Sequence, residues 1–148
     1  MAEKLCGLKK KGAGNVTMDL LWENQSPLTA FANQKVALDL SKYDCVGIVF
    51  NESSGDTLYA SMLSTSFTPN ANIYYGLKLA AKNITNYIEA ASSQPSSAQR
   101  LFIRQITTDD TGITFGNAYM CQNVQWGPAR TDICIPYQIY GIKGITLY

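Results

Sequence analysis

Alternation of apolar and polar side chains organises this chain. Val16, Met18, Leu20 and Trp22 alternate with Thr17, Asp19 and Glu23, and Leu21 is the one break in the pattern. A period of two predicts a half-buried β-strand with those four apolar side chains on its inner face. Ser26-Pro27 ends it. Val36, Leu38 and Leu40 repeat the pattern against Lys35 and Asp39, and Ser41 to Asp44 reads as a turn. Cys45 to Phe50 is apolar at nearly every position, as expected of a central strand. Asn51 to Asp56 has the composition of a hairpin loop. Leu58, Ala60 and Met62 then predict a return strand, and Ser64 to Asn72 a polar loop.

The next segment carries two signals. Leu77, Ala80, Ala81, Ile84, Tyr87, Ile88 and Ala91 recur at helical spacing, but Asn83, Thr85 and Asn86 are poor helix formers. Tyr74-Tyr75 and Leu77-Lys78-Leu79 suit a strand. Two short strands broken near Asn83 are favoured over a helix. Ser92 to Gln99 reads as a surface loop. Leu101 to Thr107 predicts a strand and Thr108 to Gly112 a turn. Ile113 to Phe115 and Ala118 to Val124 are expected to pair about Gly116-Asn117, a hairpin-type dipeptide. In the closing stretch, Ile133, Ile135, Tyr137 and Ile139 share one face. Pro136 places that strand at an edge, a start or a bulge, and Gly141 and Gly144 permit a bend or close backbone approach. Nine or ten short strands with frequent turn signals predict an all-β, antiparallel β-sandwich of jelly-roll-like form. Residues 15–148 are expected to be its single domain and residues 1–14 an extension or tether.

Composition narrows the chemistry. Charged residues are 16% of the 148, against a usual share of about 25%, so the surface relies on uncharged polar groups. A net charge of +1 gives no basic excess, and nucleic-acid binding is not expected. Lys9-Lys10-Lys11 reads as a solvated arm. The chain contains no His, which excludes Ser-His-Asp and Cys-His catalysis within it. Cys6, Cys45, Cys121 and Cys134 form no Cys-x-x-Cys pair. They read as small buried apolar residues of a protein folded in a reducing cytosol, with one disulfide left open. Residues 1–14 lack the apolar core of a signal peptide. No run of about 18 apolar residues occurs, so no membrane span is expected. The Asn-x-Ser/Thr sequences at Asn15, Asn24, Asn51 and Asn83 fit an Asn-rich composition.

Asp109-Asp110, the adjacent acid pair, opens a turn and fits a turn role better than a catalytic one. Asp44, Asp56 and Asp132 lack calcium-loop spacing. Gly12-Ala13-Gly14 lacks the rest of a phosphate-binding motif. No metal, cofactor or enzymatic activity is therefore expected. The candidate binding residues are Tyr74 and Tyr75, Trp126, and Arg130 at the end of the Trp126 loop. Aromatic faces in loops stack on sugar rings or form protein interfaces. The alternative is that Trp126 caps one end of the core and one tyrosine points inward.

Three segments also carry a resemblance: Leu20 to Phe50 (LLWENQSPLTAFANQKVALDLSKYDCVGIVF), Asp110 to Tyr119 (DTGITFGNAY) and Cys134 to Gly144 (CIPYQIYGIKG). Together they resemble a loose family of bacteriophage and prophage structural proteins, small β domains at the ends of tail fibres, head fibres and other virion appendages. The resemblance implies a β-sandwich, assembled as a homotrimer in a virion after synthesis in the bacterial cytoplasm. It implies a non-enzymatic role in assembly or host-surface attachment. Its partners would be copies of itself, other virion proteins and a host cell-surface glycan. The motifs describe the fold, so no site residue is carried over. The loops expected to be displayed are Ser64–Tyr75, Ser92–Gln99 and Trp126–Thr131. The competing readings are a stand-alone carbohydrate-binding module and a glycan-cleaving enzyme, which needs two carboxylates roughly 5–10 Å apart in a cleft.

Overall fold

The computed structural model describes residues 4–5, 8–10, 15–53, 64–65, 75–92 and 100–147, with backbone alone for 4–5, 8–10, 52–53, 64–65, 75, 91–92 and 146–147. Every regular element among these residues is a strand. In chain order they are β1 (Lys4–Leu5), β2 (Leu8–Lys10), β3 (Thr17–Glu23), β4 (Gln34–Ala37), β5 (Cys45–Ser53), β6 (Ser64–Thr65) and β7 (Tyr75–Ala81). There follow β8 (Thr85–Ser92), β9 (Arg100–Asp109), β10 (Gly112–Gln122), β11 (Gln125–Trp126), β12 (Ile133–Lys143) and β13 (Ile145–Leu147). One five-stranded antiparallel sheet runs β3-β12-β5-β7-β6. The second runs β11-β10-β9-β8, with β4 also pairing with β10. The two pack face to face as a β-sandwich. The chain passes from β3 in the first sheet to the short β4 in the second and back to β5 in the first, and β12 inserts between β3 and β5 in the manner of a jelly roll. In the amino-terminal segment, β2 pairs with the last strand, Leu8 opposite Leu147 and Lys10 opposite Ile145.

The region with two signals resolves into two strands. β7 lies in the first sheet and β8 in the second, and the chain crosses between them at Lys82-Asn83-Ile84. Asn83 takes a φ of 62°, a left-handed conformation that Asn tolerates better than most residues. Thr108 of β9 straps this corner, its hydroxyl donating to the Ala81 carbonyl at 2.8 Å and its amide to Ile84. The helical spacing is incidental. Ala80, Ile88 and Ala90 enter the core, while Leu77, Ile84 and Tyr87 stay exposed.

Two expectations are corrected. Gly116-Asn117 is not a hairpin turn, because the residues on both sides of it pair with the same strand: Phe115 lies opposite Ile106 and Ala118 opposite Arg104. The dipeptide is a bulge within one long strand, and the reversal comes at Asn123-Val124. The face assigned to the first strand holds at Trp22 and is reversed at Val16, Met18 and Leu20. Trp22 lies opposite Ile139 and Leu20 opposite Tyr140, so Leu21 is the extra residue of a bulge. Leu21 and Trp22 both pack on the core, and Val16, Met18 and Leu20 are left on the outer face.

The closing strand is core, but the single face expected for Ile133, Ile135, Tyr137 and Ile139 is broken by a register shift at Tyr137, which is only half-buried. Ile133, Ile135 and Ile139 are buried in the core. Pro136 sits at a register shift against β5, where the missing amide is harmless. A Cβ on Gly141 would stand 2.6 Å from the Tyr43 ring, and Gly144 has a φ of +93°. The return strand expected at Leu58 to Met62 lies outside the described residues.

A fully buried Arg104 joins the layers. From β9 it donates Nε to Gly116 O at 3.1 Å, Nη1 to Ile133 O at 3.5 Å, and Nη2 to Phe31 O and to Asn33 Oδ1. Its guanidinium lies 5.5 Å from the Phe31 ring centre, and Phe31 stands edge-on to Trp22 and Phe115. Among the described residues no carboxylate pairs with it. Burial lowers its pKa. Replacing it with Met strands several buried carbonyls, each worth about 1–3 kcal/mol. Arg104→Met is expected to lower the unfolding free energy by at least about 2 kcal/mol, measured by urea denaturation.

Candidate interaction surfaces

Position in the strand ladder decides what each outer face displays. On the second sheet, Phe102, Arg104 and Ile106 point inward, so Leu101, Ile103 and Gln105 point out. Trp126 lies opposite Cys121, which lies opposite Leu101. Trp126 is therefore on the outer face, 52% exposed. It does not cap the core. Tyr119 lies opposite Ile103 one step along the same face, and the exposed Tyr87 lies opposite Gln105.

The β10–β11 hairpin that carries Trp126 is strained. Asn123 and Val124 take φ values of 53° and 63°, the pattern of a type I′ turn, which prefers Asn-Gly. A β-branched residue in the left-handed region costs roughly 1–2 kcal/mol, and Val124 is 96% exposed, so no packing offsets the strain. Val124→Gly is expected to raise the melting temperature by several degrees without loss of fold, measured by thermal denaturation followed by circular dichroism.

Arg130 lies along the same edge of β10, its backbone bridged to Ala118. Its guanidinium forms a two-pronged pair with Asp132, Nε to Oδ1 at 2.8 Å and Nη2 to Oδ2 at 2.7 Å. That pairing holds the Asp132 carboxyl below its usual pKa. The folded state therefore gains stability from this pair near neutral pH and loses it as acid protonates the carboxylate. Tyr75 opens β7 in the other sheet, with its side chain outside the described residues, as is Tyr74. Trp126 and Arg130 thus share a strand edge, and Tyr75 is on a separate sheet.

The acid pair is a turn. Asp109 Oδ1 accepts from the Thr111 amide at 2.7 Å, and Asp110 pairs with Lys82 at 2.8 Å. Gly112 ends the turn where a Cβ would strike Val36 O. Among the described residues no group of three or more Cys, Asp or Glu side chains is placed to hold a metal ion. Cys45 is buried and its thiol pKa rises to about 11, chiefly through desolvation, which leaves it protonated and unreactive at neutral pH.

The outer face of the first sheet went unnoticed in the residue patterns. Met18 lies opposite Ile142, Ile142 opposite Cys45, and Cys45 opposite Ala81. One step along, Leu20, Tyr140, Gly47 and Leu79 follow one another across the same four strands. Side chains of Ile142, Leu79 and Leu77 converge over Gly47, all within 3.7 Å of where its Cβ would be. This face holds no charged residue along these two rows. Met18, Leu20 and Leu77 are each about half exposed. The signal for it was Cys45 to Phe50, a strand apolar on both faces.

No family model matches the chain, and no curated protein or solved structure matches it.

Proposed function

We propose that this chain is a non-enzymatic structural domain of a bacteriophage virion appendage, a fibre, spike or capsid-decorating protein that self-associates and displays binding surfaces to the host. The observation that carries the reading is that a rigid sandwich turns half-exposed apolar side chains outward from both sheets. A free-standing antiparallel sandwich normally alternates inward apolar with outward polar positions. Low charge and the Leu20–Phe50, Asp110–Tyr119 and Cys134–Gly144 motifs support the same reading. In this role several copies act together, and weak individual sites gain strength by avidity. Light scattering on the purified protein tests it: a stable trimer is expected, and a monomer at high concentration contradicts it.

A second reading, a stand-alone carbohydrate-binding module, is favoured by Trp126, whose half-exposed side chain lies on the same outer face as Tyr119 and Tyr87. Here the monomer binds on a glycan array, and Trp126→Ala abolishes that binding while the melting temperature stays unchanged. Equal binding by the variant removes this reading.

A further inference from the structure

We infer that the outer face of the first sheet is where copies of this chain meet, each copy covering the same face of its neighbours. The inference rests on the self-association proposed above and assigns the surface responsible.

The argument starts with β5. Val46, Ile48 and Phe50 belong to the core between the sheets, whereas Cys45 and Val49 are buried on the opposite side. A strand apolar on both faces is the pattern of a sheet covered on both faces. The inner face is covered by the second sheet. Among the described residues, β13 lies against β5 and β7 at one end of the outer face, and the outward residues of β5 itself are buried beneath neighbouring side chains. The exposed part of this face is Met18 at 51%, Leu20 at 49% and Leu77 at 50% exposure, around the side chains that converge over Gly47.

The chemistry of the face selects its occupant. Across the rows from Met18 to Ala81 and from Leu20 to Leu79 there is no charged side chain, and the next row, Glu23, Gln138, Val49 and Leu77, carries its one charge, Glu23, at the edge of the sheet. The hydroxyl of Tyr140, the polar group in the first two rows, already donates to Gln138 Oε1 at 2.9 Å. Over those two rows a charged or strongly polar partner would be desolvated without compensation, so the partner surface that meets them must be flat and apolar. A copy of the same face meets that requirement. At a two-fold axis the patch covers itself directly, and at a three-fold axis the face of each copy turns toward the axis and packs along its edges against its two neighbours.

Size sets a condition on the contact. Four strands about 4.8 Å apart and five residues of about 3.4 Å each span roughly 300 Å² of flat sheet. That is the scale of the largest, usually functional, patch on a small protein. It is less than the ~800 Å² per partner of a standard interface, so the contact must extend past the face. β3 provides the extension. It is the edge strand, with β12 as its one neighbour among the described residues, and it carries Met18 and Leu20. Its sequence, TMDLLWE, has neither the Lys nor the Pro that commonly blunts an exposed edge.

The experiment compares wild type with Leu20→Lys and Leu77→Glu by light scattering at matched concentrations, with Trp126→Ala as a control on the other sheet. Both target side chains are about half exposed, so melting curves should stay close to wild type. The expected result is that each charged variant falls to the single-chain mass of 16.2 kDa, while Trp126→Ala assembles as wild type does. An assembly untouched by either charged variant, or dissolved by Trp126→Ala alone, overturns the assignment of this face and leaves self-association standing. A monomeric wild type overturns both. Should a charged variant fail to fold, peroxide oxidation of wild-type Met18 decides the matter. Protection at assembling concentration relative to dilute protein supports the inference, and equal rates at both concentrations overturn it.

Discussion

The buried guanidinium of Arg104 fixes how the two sheets meet. It sits on β9 of one sheet and donates to Ile133 at the start of β12 in the other, to the β10 bulge at Gly116, and to Phe31 and Asn33 in the loop entering β4. Five donors in a rigid fork suit this task better than any other side chain. Its acceptors are neutral, so burial is opposed by desolvation. The arrangement holds because the Phe31 and Ile133 carbonyls are buried acceptors that themselves need a donor. Phe31, Trp22 and Phe115 close around it edge to face, and the bulges in β3 and β10 deliver the backbone into position. The interior is thereby filled and its polar groups are engaged.

A filled interior has a consequence outside. Met18, Leu20 and Leu77 have no room to turn inward, because the ladder places them on the opposite side of their strands. Among the described residues, the first sheet therefore carries apolar side chains on both faces, and the second sheet covers one of them. The second sheet differs. Its outer face mixes Trp126, Leu101 and Tyr87 with the exposed Gln105, Thr107 and Glu89. The two faces suit different tasks, one for assembly among copies and one for display.

Much of this was legible in the residues. Period-two alternation located β4, β9 and the closing strand, and poor helix formers around Asn83 outweighed a helical spacing that means nothing in the fold. Pro136, Gly141 and Gly144 announced a bulge and close approaches that the structure contains. The misreadings share one cause. A bulge shifts the alternation by one residue, and nothing in a single sequence distinguishes Gly116-Asn117 as a bulge from the same dipeptide as a turn. Leu21 showed as an irregularity in the first strand, but its effect on which face is buried depends on β12, more than 100 residues away in the chain. Arg104 was invisible as a core residue because charged side chains are normally surface residues. The outer face was hidden for a related reason: an all-apolar strand reads as central, which is true of β5, without revealing that Met18, Leu20 and Leu77 beside it stay half exposed.

A crystal structure of the purified, assembled protein tests the account most directly. The account predicts that the β3-β12-β5-β7 sheet faces the symmetry axis, with Met18, Leu20 and Leu77 buried against neighbouring copies and Trp126 turned toward solvent. An assembly with that sheet open to solvent and the Trp126 face at the axis would contradict it.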